Sequence, residues 1–128
     1  MMATVAVGVD VVDVARFALA LQRRPRLLER LFTPRERSDT NERPERLAAR
    51  FAAKEADLKA LGSGLGDASF RSIEVQSEPS GAPVIVLYGD ALALAQAKGI
   101  GELHVSLSHT QTTATAFVVA SSEVPSAG

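Results

Sequence analysis

The 128-residue sequence predicts an α+β fold from three features. Short apolar runs with alternating or two-sided patterns read as strands near both ends and in the middle. Capped, alanine-rich stretches read as helices. The two kinds of element mix without strict βα alternation, which argues against a parallel α/β sheet.

The elements follow in order. "TVAVGVDVV" places Val5, Val7, Val9 and Val11 on one parity and Thr4, Ala6, Gly8 and Asp10 on the other, the mark of a strand. Asp13 can cap a helix over 14–23, and Pro25 ends it or opens the next helical piece. "TPRE" at 33–36 combines a capping threonine, a proline at the first helical position and a glutamate at the third. Pro44 starts a long helix that Gly62 ends, and "GSGLGD" forms a glycine-rich connection. "FRSIEVQS" and "PVIVLY" make two strands around "EPSGA". Asp90 caps a helix that Gly99 stops. "ELHVSLSHT" and "TTATAFVVA" form a second hairpin. One domain spans 1–121, and 122–128 is expected to be a disordered tail.

Composition narrows the function classes. Fourteen Lys and Arg against fifteen Asp and Glu leave no global charge favouring nucleic acid or membrane. Without cysteine, disulfides and thiolate zinc sites are excluded. The N-terminal apolar run is broken by Asp10 and Asp13 and lacks a basic leader, so neither signal peptide nor membrane span is expected, and the cytoplasm is the predicted compartment. One segment stands apart: residues 14–30 hold Arg16, Arg23, Arg24, Arg26 and Arg30 against the single acid Glu29.

The long helix carries charge where it should be dry. At about 100° per residue, with Leu47 at zero, Leu58 falls near 20° and Phe51 near 40°. Glu55 then lies near 80° and Lys54 near 340°, in or beside the apolar arc. A buried charge is costly unless paired. Glu55 serves either as an ordinary partner of Lys59, four residues on, or as an inward ligand. Asp10, at a strand end, is either a turn aspartate or a metal ligand. The Gly62–Gly64 stretch is either a helix stop or a phosphate cradle.

Together, "GVDVVDVARF", "RFAAKEADLKALGSG" and "HVSLSHT" resemble the holo-acyl-carrier-protein synthases, the small single-domain 4′-phosphopantetheinyl transferases. The motif positions are Gly8, Asp10, Phe51, Lys54, Glu55, Ala56 and Lys59, and the likeness runs from Ala6 to about Val119. The resemblance implies the 4′-phosphopantetheinyl transferase fold, with a small antiparallel-rich sheet against a long central helix. It implies transfer of the 4′-phosphopantetheine arm of coenzyme A to a serine of an apo-acyl carrier protein, releasing 3′,5′-adenosine diphosphate, in support of fatty acid biosynthesis. It implies Mg²⁺ held by Asp10 and Glu55, with Lys59 beside the pyrophosphate as the third catalytic residue. Coenzyme A is expected to meet Arg50, Lys59, Gly62, Ser63, Gly64, Pro83, His109 and Thr110. Arg16 is expected to dock the acidic carrier, and the family's habit is a homotrimer with sites between subunits. Strands apolar on both parities, such as "AFVVA", fit such an assembly. Lys54 is left to packing or pairing. The rival reading, a non-catalytic nucleotide- or carrier-binding module, keeps the basic patch and glycine loop but does not need Asp10 and Glu55 together.

Overall fold

A computed structural model describes residues 2–62 and 69–123. The element order is β1 (Met2–Asp13), α1 (Val14–Arg23), α2 (Leu27–Leu31), α3 (Pro34–Thr40), α4 (Pro44–Ala60), β2 (Ile73–Ser77), β3 (Pro83–Leu87), α5 (Gly89–Ala97), β4 (Glu102–His109) and β5 (Thr113–Glu123). β1, β5 and β4 form an antiparallel sheet in that order, and β2 and β3 pair in a separate ribbon. The α+β class therefore holds. β5 carries the chain through Ser122 and Glu123; the remainder of the predicted tail, 124–128, lies outside the described residues.

Two local expectations changed. Residues 70–72 form a 3₁₀ turn rather than the start of β2. Ser69 Oγ accepts from the Arg71 N–H, capping that turn, and Phe70 stacks on Phe51 at 5.7 Å between centroids. Asp90 is not the cap of α5. Tyr88 is, and Asp90 sits in the first turn, where its charge suits the helix dipole.

α4 is the central element, packed on the inner face of the three-stranded sheet. That face is built small. Ala6, Gly8, Ala114, Ala116 and Ala120 line it opposite the buried Ala49, Ala52, Ala53, Ala56 and Ala60 of α4. A Cβ on Gly8 would lie 1.9 Å from the Ala56 carbonyl oxygen, so only glycine lets β1 and α4 meet this closely. Alternation normally marks the apolar parity as the buried one. Here the smaller residues face inward, and Val5, Val7, Val9 and Val11 point out, with Val11 65 % exposed. Phe117, opposite Val9 on β5, extends this uncovered apolar face.

Lys54 is fully buried, and the structure shows why. Its ammonium donates to the Leu31 carbonyl (2.6 Å), to Glu36 Oε1 (2.6 Å) and to the Phe70 carbonyl (2.9 Å). Glu36, also fully buried, accepts in addition from the Thr33 N–H, closing the predicted capping box, and from Val75 N–H. Burial pulls the Lys54 ammonium below its ordinary range, and the Glu36 carboxylate opposes that pull. One ion pair thus joins α2, α3, α4, β2 and the turn at Phe70. Such a pair is expensive to break, because either partner alone is an uncompensated buried charge.

Asp57 lies nearby in sequence but not in satisfaction. It is fully buried, and neither carboxylate oxygen has a hydrogen-bond partner among the described residues. Burial raises its carboxyl from 3.8 to about 7. The folded chain therefore holds this proton more tightly than the unfolded chain does. Stability falls as pH rises from the unfolded value toward 7 and stays reduced above it. Asp57→Leu, similar in volume, should remove this cost. The variant should gain about 2–4 kcal/mol over wild type near pH 8, progressively less as pH falls below about 7, and little near pH 4. Chemical denaturation at the two pH values tests this; a gain that does not shrink at low pH would contradict it.

Candidate active site

Two groups of polar residues flank α4. The first lies over the β1 edge of the sheet. Gly8 seats β1 against α4, and the inward parity then presents Asp10 to the same helix. Lys59 donates to Asp10 Oδ1 and to the Val9 carbonyl, each at 3.0 Å. The sequence allowed Lys59 to pair with Glu55, but its contact goes to Asp10 instead. Glu55 is half-buried. Burial pushes its carboxyl up, the Asp10 carboxylate pushes it further, and Lys59 acts against both.

An Asp10 carboxylate close enough to raise the proton affinity of Glu55 makes the pair a candidate place for a cation. No cluster of three or more His, Cys, Asp or Glu side chains suited to a metal occurs among the described residues. Two carboxylates match Mg²⁺, which keeps several waters and shares substrate phosphate oxygens, better than an ion needing a full protein cage. The donor set therefore fits Mg²⁺.

The second group lies over the opposite edge. Arg50, Pro83 and His109 meet in a cleft of about 440 Å³, together with Arg46, Ser77 and Leu107. Arg50 is largely buried; its Nη2 donates to Ser77 Oγ at 2.7 Å, and its Nε has no partner among the described residues. Desolvation lowers its ordinary proton affinity, with Glu36 and Asp39 opposing and Arg46 assisting. Apolar walls at Pro83, Ala49 and Leu107 with cations around them suit an anion joined to a flat ring.

Geometry keeps the groups apart within one chain. Arg50 and Glu55 are five residues apart on α4, which puts them about 140° apart around its axis. Asp10 and His109 belong to the two edge strands, with β5 between them, a separation of about 10 Å across the sheet alone. Both face the side that α4 covers. The helix stands between them.

The remaining expected residues are dispersed. Gly62 adopts φ +70 at the end of α4, and the Lys98 ammonium lies 2.7 Å from where its Cβ would be. Ser63 and Gly64 lie outside the described residues. Thr110 does not line the cleft; its hydroxyl accepts from the N–H groups of Thr112 and Thr113 within its own hairpin. Arg16 lies on α1, in a groove of about 290 Å³ with Leu19, Arg23 and Arg24, and its N–H is held by Asp13 Oδ1, the predicted cap. Arg46 and Ser77 were not singled out from the sequence. Arg46 carries no local pattern that marks it out, and Ser77 reaches the cleft only through the β2–β3 ribbon.

Residues 6–117 match the 4′-phosphopantetheinyl transferase superfamily. The chain belongs to that family. Within it, the chain is 52 % identical over 116 residues to the holo-[acyl-carrier-protein] synthase of Beutenbergia cavernae, covering 91 % of this chain and 97 % of that protein. It is 44 % identical over 124 residues to the synthase of Moorella thermoacetica, covering 94 % and 97 %. Among solved structures, it resembles the Helicobacter pylori holo-[acyl-carrier-protein] synthase in complex with coenzyme A, with TM-score 0.81, 34 % identity and coverage of 89 % and 98 %. The resemblance drawn from the three motifs thus holds for family and fold, and the transferase is an enzyme of the holo-acyl-carrier-protein synthase type.

The carboxylate pair makes a measurable prediction. Asp10→Asn in the metal-free transferase removes the like charge and frees Lys59, so the Glu55 carboxyl should titrate at lower pH than in wild type. Carbon-detected NMR of the Glu55 side chain would show this; an unmoved or raised midpoint would mean that the two carboxylates do not sense each other.

Proposed function

We propose that this transferase moves the 4′-phosphopantetheine arm of coenzyme A onto a serine of an apo-acyl carrier protein, in the cytoplasm and in support of fatty acid synthesis. The observation that carries the reading is the meeting of Asp10, Glu55 and Lys59 at the β1–α4 contact. In the reaction the serine oxygen bonds to the phosphorus bearing the pantetheine arm. The bridging P–O bond to the nucleotide phosphate breaks, 3′,5′-adenosine diphosphate leaves, and the serine proton passes to a base or to water. Asp10 and Glu55 would hold Mg²⁺, which when bound supplies a Lewis acid for the pyrophosphate oxygens. Lys59, whose side chain is 54 % exposed, would face the charge gathering on the leaving phosphate. The cleft at Arg50, Pro83 and His109 takes the nucleotide half of coenzyme A. The groove at Arg16 meets the acidic carrier, a contact that mainly speeds encounter and sets orientation.

We further propose a homotrimer whose sites lie between subunits. Two features support it. The outward valines of β1 with Phe117 form an apolar face that one chain leaves uncovered. The carboxylate group and the cleft stand on opposite flanks of α4, so a cleft on one subunit facing the carboxylates of the next would complete a site.

Incubation with coenzyme A, Mg²⁺ and an apo-carrier, followed by mass spectrometry, should show the carrier gaining one phosphopantetheinyl group. Asp10→Ala and Glu55→Ala should each abolish the gain while remaining folded. Mixed trimers of Glu55→Ala and His109→Ala should recover part of the activity, because some interfaces pair both intact halves. Unmodified carriers with every candidate would sink the transfer reading; a monomer by sedimentation, or no recovery on mixing, would sink only the shared site.

A further inference from the structure

We propose that Arg46 is a specificity-determining residue whose guanidinium, set one helical turn before Arg50 on the same cleft, reads the ribose phosphate of the coenzyme. The proposal rests on the coenzyme A reading above and names a residue that neither the motifs nor the family match assigned. Its grounds are electrostatic. Arg46 is the third residue of α4, and the start of a helix disfavours a cation. Arg50, four residues on, presents a second guanidinium, and like charges at this spacing destabilise a helix. His109 adds a third basic group to the same walls. Among the described residues, the one acid lining the cleft is Asp39, which Arg35 contacts at 3.8 Å. Arg46 itself has no acidic side chain within 4 Å among the described residues, and it is exposed. The fold thus gains nothing visible from this charge and holds it against the helix dipole and the Arg50 guanidinium. A residue that breaks the local rules without a structural return points to a ligand.

The chemistry of the cleft says which ligand group. Arg50 is committed, with Nη2 on Ser77 and most of its surface buried, so it cannot alone wrap a phosphate monoester. A dianion entering the cleft gains most from an exposed guanidinium able to offer two parallel N–H donors, and Arg46 is that group. The apolar walls of Pro83 and Leu107 take the base next to it. The charge of the 3′ phosphate, rather than the pyrophosphate over the Asp10 flank, is therefore what Arg46 distinguishes.

Calorimetry on the intact protein with coenzyme A, 3′,5′-adenosine diphosphate and dephospho-coenzyme A tests this. Arg46→Gln should weaken the first two about tenfold, the loss of one charge-assisted contact, and leave dephospho-coenzyme A nearly unchanged. Arg46→Lys should recover part of the loss. The Tm of Arg46→Gln should equal or exceed that of wild type, since a repulsive charge has gone; a structural role would lower it. Equal weakening of all three ligands, no weakening of any, or a fallen Tm with unchanged discrimination would each overturn the inference. Should wild type bind none of the three, the coenzyme A reading itself falls, and this inference with it. Should wild type discriminate and Arg46→Gln discriminate equally well, only this inference falls.

Discussion

The approach of β1 to α4 at Gly8 is the constraint on which the carboxylate site depends. With no side chain there, the Ala56 carbonyl can lie where a Cβ would otherwise be. That contact sets the depth of α4 on the sheet, and the inward alanines of both elements follow from it. It also sets the distance across which Asp10 and Glu55 sense each other, and it brings Lys59 within 3.0 Å of Asp10. Two carboxylates on a rigid strand and a rigid helix are better held than any loop could hold them. The cost is a helix–sheet junction with little side-chain volume to bury, so α4 needs support elsewhere.

That support is the Lys54–Glu36 pair. It fixes the other flank of α4 through three acceptors on Lys54 and three donors to Glu36, all but the local Thr33 N–H drawn from segments distant in sequence. Adjacent residues of one helix thus divide the work. Lys54 turns into the core and ties the helices together, while Glu55 turns toward β1 and Asp10. The stacked Phe17, Phe51 and Phe70 fill the space around this junction with apolar area.

How much of this the sequence disclosed depended on the range of the interaction. The capping box at Thr33–Glu36, the Asp13 cap and the ends of α4 are decided within four residues, and their signals were readable. The inward angle of Glu55 followed from helix periodicity alone. The second task of Glu36 was not legible, because its partner is 18 residues away and nothing local requires it. Nor was the outward turn of the β1 valines, since alternation shows two faces but not which one α4 will cover. The meeting of Arg50, Pro83 and His109 was implied only by family likeness; physically it needs the β2–β3 ribbon to lie beside β4. Arg46 stayed hidden because a single arginine on a helix normally signifies solvent.

The most direct test of the account is Gly8→Ala, measured for carrier modification and, separately, for binding of 3′,5′-adenosine diphosphate. The added methyl must push β1 from α4 and so separate Asp10 from Glu55, while the cleft at Arg50 and His109 lies on the other flank. Turnover should fall about 100-fold or more, the scale of an ångström-level misplacement, with nucleotide affinity within a few-fold of wild type. Full turnover in Gly8→Ala, with a fold as stable as wild type, would contradict the claim that this contact positions the site.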